Sequence, residues 1–261
     1  MDDLLQELAD RAATARSVAV VTGAGISAES GLRTFRGVTA GAVPMPPDMK
    51  ALWESFDPAS LATPEAFESD PALVTRWYDW RRLGCLSAEP NPGHLALAEL
   101  ERRVLARGGA FVLLTQNVDR LHQRAGSGNV VELHGSIVVW RCTATGRRVT
   151  PDAAAFEKFP TPSPFREGAL LRPDVVWFGE ALPAMALAAA ADAAETCDVF
   201  VSVGTSSVVY PSAGFIQRAA RRGAWTAEVN LEQTPISGMV DVSVRGRASE
   251  VLPKVIGGGA G

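Results

Sequence analysis

Disulfide-forming cysteine pairs, basic stretches and long apolar runs are all missing from this sequence. Only Cys85, Cys142 and Cys197 occur in 261 residues, too few and too scattered for a disulfide framework, which fits a reducing compartment. The formal net charge is -4 with Arg and Glu interspersed, so there is no basic stripe of the kind nucleic acid requires. No apolar run approaches the roughly 20 residues needed to cross a bilayer. The N-terminal stretch sets Asp2, Asp3, Glu7 and Asp10 ahead of its first basic residue, the reverse of a secretory signal. These absences predict a cytoplasmic protein with neither nucleic-acid nor membrane partners.

What is present is a large apolar fraction, 47% of residues, enough for one core domain carrying a smaller lobe. Short apolar runs at Ser17–Thr22, Phe111–Thr115, Asp198–Val203 and Trp225–Asn230 read as strands buried on both faces. Helical patterns lie among them at Leu4–Ala15, Pro92–Ala106, Pro183–Glu195 and Ser212–Arg222. This alternation predicts an α/β fold, a Rossmann-like parallel sheet with helices on both faces. Two stretches break the rhythm. Residues 37–90 pack Leu52, Trp53, Phe56, Leu61, Phe67, Trp77, Tyr78 and Trp80 into Pro-punctuated helical segments. Residues 136–180 are Pro-rich, with strand-like pieces at Ile137–Arg141 and Arg147–Thr150. The expected core is therefore 1–36, 91–135 and 181–261, and the two insertions make the smaller lobe.

Directly after the first strand, Gly23-Ala24-Gly25-Ile26-Ser27-Ala28 forms a Gly-x-Gly-x-x-Ala turn, which brings backbone N–H groups to a pyrophosphate or simply closes a tight turn. A standard dinucleotide fold places an acidic residue about 20 positions onward, but here Arg36, Gly37 and a Pro-rich segment follow. Gln116-Asn117-Val118-Asp119 sits at the carboxyl end of a strand, offering amide and carboxylate groups to a polar cofactor or a cap to the next helix. Of the three histidines, His94 opens a helix, His122 lies within one, and His134 ends a strand beside Gly135. An imidazole accepts a proton near neutral pH, which makes His134 the best candidate base.

The run Gly23 to Gly37, with Glu29, Thr34, Phe35 and Arg36 inside it, resembles the sirtuin signature. It is joined by Thr115-Gln116-Asn117-Val118-Asp119-Arg120-Leu121-His122, by Leu133-His134-Gly135, and by Arg172-Pro173-Asp174-Val175-Val176-Trp177-Phe178-Gly179-Glu180. Gly204-Thr205-Ser206-Ser207-Val208 and Asn230-Leu231-Glu232 extend the resemblance over nearly the whole chain. The resemblance implies an NAD-dependent deacylase of protein acyl-lysine that yields free lysine, nicotinamide and O-acyl-ADP-ribose. It implies that His134 is the base, that Asn117 and Asp119 face the nicotinamide and its ribose, and that Gln116 belongs to the same NAD pocket. The Gly23 loop, Gly204 to Ser206 and Asn230 to Glu232 would then hold the rest of the NAD. ADP-ribosyl transfer, NAD hydrolysis or a catalytically silent NAD-sensing module are the alternatives.

Within the first insertion, Tyr78 and Arg81 are three residues apart and share a helix face. A phenol and a planar guanidinium suit a carboxylate, and the spacing matches the sirtuin branch that removes succinyl, malonyl and glutaryl groups. Ala62 leaves room beside them, and Val175, Val176 and Phe178 form the expected strand edge for a substrate peptide. Most sirtuins carry two Cys-x-x-Cys pairs that hold a structural zinc. Here only Cys142 remains, with Thr145 at the partner position and no cysteine or histidine in 161–168, so no bound zinc is expected.

Overall fold

The computed structural model describes residues 2–32 and 58–257. Its strands are β1 Ser17–Thr22, β2 Ala110–Thr115, β3 Val130–Glu132, β4 Gly135–Cys142, β5 Arg148–Val149, β6 Leu171–Val175, β7 Val199–Val203, β8 Trp225–Asn230 and β9 Val242–Arg245. Six of them form one parallel sheet in the order β3-β2-β1-β7-β8-β9. Successive side chains of a strand face opposite ways, and both faces are covered. Val18, Val20, Leu113 and Val201 meet the helices Asp2–Thr14, Pro92–Ala106 and Ala248–Gly257. Ala19, Val21, Leu114 and Phe200 meet Ala184–Thr196 and Phe215–Arg221. The continuous apolar runs in β1 and β7 are thus what a doubly covered sheet requires. Among the described residues no helix is long and apolar enough to cross a membrane.

The order of the sheet reverses at β1. From it the chain runs outward through β2 and β3 on one side and β7, β8 and β9 on the other. The carboxyl ends of β1 and β7 therefore flank a topological switch point, where such sheets leave a crevice.

The smaller lobe is an antiparallel sheet, β5-β4-β6, packed against the helix Pro71–Ser87. That helix starts on Asp70, whose carboxylate accepts the Leu73 N–H, followed by Pro71. Its inner face presents Val74, Trp77, Tyr78 and Cys85 to Ile137, Trp140 and Trp177, so the two insertions share one core. Arg82 is fully buried, paired with Asp79 at 2.7 Å and donating to the carbonyls of Asp152 and Ala154. Asp79 also accepts the Phe156 N–H at 2.9 Å. This staple ties the irregular loop to the helix.

Several elements differ from expectation. β3 is three residues long, β9 lies on the sheet edge, and β6 holds Pro173, so none carries an extended apolar run. The helix Ala248–Gly257 contains Pro253, a residue that breaks helical patterns. Leu52, Trp53 and Phe56, expected in the lobe, lie outside the described residues.

Candidate active site

At the switch point the Gly23 loop and the Gly204 loop touch backbone to backbone. A Cβ on Gly23 would stand 2.7 Å from the Thr205 Cα, and one on Gly204 would stand 2.6 Å from the Ile26 nitrogen, so side chains are excluded from both. The contact redirects the expected donors. Gly23 N–H is given to the Val203 carbonyl at 3.0 Å and Gly25 N–H to the Gly204 carbonyl at 2.8 Å, so neither faces the crevice. The N–H groups of Ala24, Thr205 and Ser206 have no partner among the described residues, and they stand at the ends of β1 and β7. Unpartnered amides beside a switch point suit the phosphates of a dinucleotide.

Gln116 joins the two sides of the crevice. Its N–H is given to Thr22, its side-chain oxygen accepts the Thr205 hydroxyl at 3.2 Å, and its carbonyl lies 2.9 Å from His134 Nδ1. A carbonyl can only accept, so the proton of neutral His134 sits on Nδ1 and its Nε2 carries the free lone pair. His134 lies in the turn between β3 and β4 rather than within a strand. Burial pulls its pKa below the ordinary value, with the Gln116 carbonyl opposing. The imidazole is therefore neutral, and basic, at pH 7.

Asn117 and Asp119 are both buried. Asn117 donates to the Gly23 carbonyl and to Ser27 Oγ, each at 3.0 Å, which locks β2 to the glycine loop. Asp119 accepts the Leu121 N–H at 2.9 Å in the turn ahead of the helix Leu121–Arg124, whose N-cap is Arg120, so neither Asn117 nor Asp119 is the cap residue. Burial raises the Asp119 pKa, and the Leu121 N–H and Ser27 hydroxyl counteract it. Sequence reasoning missed the support behind these groups. His94 Nδ1 accepts the Asn91 N–H, which leaves the proton on Nε2 to be donated to Ser27 Oγ at 3.3 Å. Ser27 thus accepts from His94 and Asn117 and turns its own proton toward Asp119. His122 bonds Thr22 Oγ1 at 2.9 Å, one layer deeper.

The remaining expected cofactor residues divide. Asn230 donates to the Thr205 carbonyl at 2.9 Å and steadies that loop. Leu231 and Glu232 are exposed on the following turn. The Glu29 carboxylate is bonded to the Ser249 hydroxyl, so it anchors the C-terminal helix instead of facing the crevice. Thr34, Phe35 and Arg36 lie outside the described residues.

On the lobe side, Tyr78 and Arg81 come together. The Arg81 guanidinium stands 4.6 Å over the Trp77 ring and 5.5 Å over that of Tyr78. Burial pushes the Tyr78 phenol up to about 12, with the Arg81 charge opposing, so it stays protonated and able to donate. Ala62 accepts the Phe178 N–H, and Val176 gives its N–H to the His134 carbonyl, both at 2.9 Å. The Val175–Phe178 segment therefore spans from the histidine to the alanine. Its amides at 176, 177 and 178 are all engaged within the chain, as are the carbonyls of Val175 and Trp177. Trp177 packs beside Tyr78 at 6.2 Å between ring centres, a neighbour that sequence reasoning did not single out.

Where zinc ligands were expected to be lost, Cys142 is buried and the Ser163 and Thr145 hydroxyls bring its thiol down to about 7. Among the described residues no three His, Cys, Asp or Glu side chains gather as metal ligands.

Comparison with known proteins agrees with this geometry. The model of the Sir2 family matches residues 23–211. NAD-dependent protein deacylase 2 of Pyrobaculum aerophilum is 50% identical over 249 residues, covering 95% of this chain and 93% of that protein. A crystal structure of a Sir2 homolog–NAD complex superposes with a TM-score of 0.86 at 41% identity, over 97% of this chain and 92% of the other. A Sir2 variant bound to a deacetylated p53 peptide and 3'-O-acetyl ADP-ribose superposes with a TM-score of 0.81 at 29% identity, over 98% of each chain.

Proposed function

This chain belongs to the Sir2 family, and from that premise we propose that it removes acyl groups from protein lysines with consumption of NAD, favouring succinyl and malonyl over acetyl. The observation that carries the deacylase reading is the tautomer of His134, fixed by Gln116 with Nε2 left as the base at the crevice. When bound, NAD supplies an electrophilic ribose carbon bearing a leaving nicotinamide. The amides of Ala24, Thr205 and Ser206 are suited to its phosphates, and Asn117 and Asp119 to the ribose and nicotinamide end. The acyl-lysine carbonyl oxygen would displace nicotinamide from that ribose carbon, His134 Nε2 would take the proton from the ribose hydroxyl that then attacks the acyl carbon, and water would complete the release of free lysine. Gln116, held by Thr22 and Thr205, keeps the imidazole in that orientation.

The acidic preference rests on Arg81 and Tyr78. A guanidinium offers two parallel charge-assisted hydrogen bonds to a carboxylate, and a protonated phenol adds a third donor. An acetyl group offers no charge to either. The test is mass-spectrometric turnover of matched succinyl-lysine and acetyl-lysine peptides with NAD. Succinyl turnover is expected to exceed acetyl and to collapse in Arg81→Met while acetyl turnover persists; both vanish in His134→Ala. Acetyl turnover that wins regardless of Arg81 overturns the preference, and NAD consumption without acyl loss overturns the deacylase reading.

A further inference from the structure

Arg172 and Glu180 bracket the Val175–Phe178 edge without belonging to it. We propose, on the premise that this chain deacylates lysine in a peptide, that the two are positioning residues. They form a guanidinium–carboxylate clamp that holds the edge in its peptide-binding shape before any peptide arrives.

Arg172 is buried, and its guanidinium meets both Glu180 oxygens, at 2.7 and 2.9 Å. The same Nη2 that reaches Glu180 donates to the Val175 carbonyl at 3.0 Å, and the guanidinium carbon lies 3.3 Å from the centre of the Trp177 ring. Glu180 takes the Trp177 N–H on its carboxylate at 2.9 Å and gives its own N–H to the Trp177 carbonyl at 3.0 Å. That second bond closes a turn over Trp177–Glu180. Its third residue, Gly179, has a φ of 87°, in the left-handed region that glycine enters without strain. Arg141 stands 3.7 Å from Glu180, which adds charge but no hydrogen bond.

The bonds of the clamp end on the backbone of the edge itself. With the Val175 carbonyl and both backbone groups of Trp177 engaged, the Val176 carbonyl and the Gly179 N–H are left without a hydrogen bond among the described residues. They flank Phe178, whose ring is exposed, and an extended peptide recognised along a strand edge bonds groups of this kind. A buried ion pair is a poor source of stability, because well-packed apolar side chains of the same volume do as well or better. What charge-assisted, directional bonds supply is the place of a backbone group. The edge is thus held by the His134 carbonyl at Val176, by the Ala62 carbonyl at Phe178 and by this pair at Val175 and Trp177. A peptide that meets an edge already fixed bears no cost of ordering it.

The experiment compares wild type, Glu180→Ala and Glu180→Gln. KM and kcat are measured with the better turned over of the succinyl-lysine and acetyl-lysine peptides, and Kd separately for that peptide carrying a fluorophore and for ADP-ribose. Glu180→Ala is expected to raise the peptide KM and Kd about tenfold, with the KM for NAD and the Kd of ADP-ribose within about twofold of wild type. Glu180→Gln, which still offers an oxygen to the Trp177 N–H, is expected to recover peptide affinity to within about threefold. A pair that only stabilised the lobe would lower kcat through the folded fraction and leave both KM values alone. That outcome, or equal weakening of peptide and ADP-ribose, overturns the proposal. Peptide binding without turnover by wild type overturns the deacylase premise alone, and the Kd comparison then decides on the clamp; no peptide binding by wild type overturns both. Should Glu180→Ala fail to fold, hydrogen–deuterium exchange of the unliganded wild type decides it. The Trp177 and Glu180 amides are expected to exchange at least about a hundredfold more slowly than that of Gly179. Comparable rates at the three amides would mean that no clamp precedes the peptide, which overturns the proposal.

Discussion

The parallel core and the smaller lobe reach stability by different chemistry. The core interleaves aliphatic side chains, Val20, Leu113 and Val201 on one face and Val21, Leu114 and Phe200 on the other, and its buried polar groups belong mostly to the crevice. The lobe uses aromatic side chains: Trp77, Tyr78, Trp140 and Trp177 are buried, with Phe67 and Phe156 against them. It also buries charge. Arg82 pairs with Asp79, while Arg172 pairs with Glu180 and stacks 3.3 Å from the centre of the Trp177 ring. A small antiparallel sheet cannot cover itself on both faces, and here one thiol stands where four thiolates would hold a metal. Large rings and buried guanidiniums, each reaching several partners, supply the lobe's cross-links. The comparison teaches that the loops of a small lobe can be tied down by side chains long enough to reach them.

The sharpest way to break this comparison is at Arg82. Its removal leaves the Asp79 carboxylate buried with, among the described residues, only the Phe156 N–H, and frees the carbonyls of Asp152 and Ala154. Arg82→Ala is expected to cost about 3–5 kcal/mol of unfolding free energy in urea titrations, the range for breaking one side of a buried pair. The double variant Arg82→Met with Asp79→Leu is expected to recover much of that loss, because no charge is then stranded. If the single change costs under about 1 kcal/mol, the pair is not the staple described here.

The same contrast explains what was legible in the sequence. β1, β2, β7 and β8 were readable because strands buried on both faces leave uninterrupted apolar runs. The helix Pro92–Ala106 was readable to the residue, since Asn91 and Pro92 mark its start. β6 was hidden by Pro173, which a strand tolerates at an edge, and β6 is an edge of the lobe sheet. At the site, Gln116, Asn117, Asp119 and His134 were candidates because their short blocks resemble the sirtuin signature; position at strand ends alone left a helix cap or a packed histidine equally open. The Ser27–His94 link could not be read there, since its partners are 67 residues apart and only the fold brings them together. Nor could the rerouting of the Gly23 and Gly25 amides, which depends on a loop that arrives about 180 residues later.

A second test uses acid, since both deeply buried imidazoles belong to the core and the lobe segments 58–87 and 136–180 contain no histidine. Burial holds His94 down to about 4, and burial with the neighbouring His94 holds His122 down to about 3. Both lie below the ordinary value of about 6.5, so on acidification the unfolded chain takes up protons that the folded chain refuses. The stabilising contribution is complete above about pH 6.5 and declines below it, by up to about 1.4 kcal/mol per pH unit for each ring. Denaturation of wild type and of His122→Gln between pH 8 and 5 is expected to show the shallower acid slope in the variant. Equal slopes would place the acid sensitivity elsewhere, among the carboxylates.

The smallest effect concerns Cys142. Its thiol sits with the Ser163 and Thr145 hydroxyls, small groups that a serine at the same position can also meet. Cys142→Ser is therefore expected to shift stability by less than about 1 kcal/mol. A structural zinc, by contrast, contributes about 10 kcal/mol or more to the folding of its module, so a lobe that relied on one would respond sharply to a chelator. Neither the melting temperature nor NAD-dependent turnover is expected to change when a strong chelator is added to wild type. A drop of several degrees, reversed by zinc and absent in Cys142→Ser, would show that a metal shares the work assigned above to the rings and to Arg82. An unchanged melt alongside a collapsed Arg82→Ala variant would leave the side chains as the lobe's only ties.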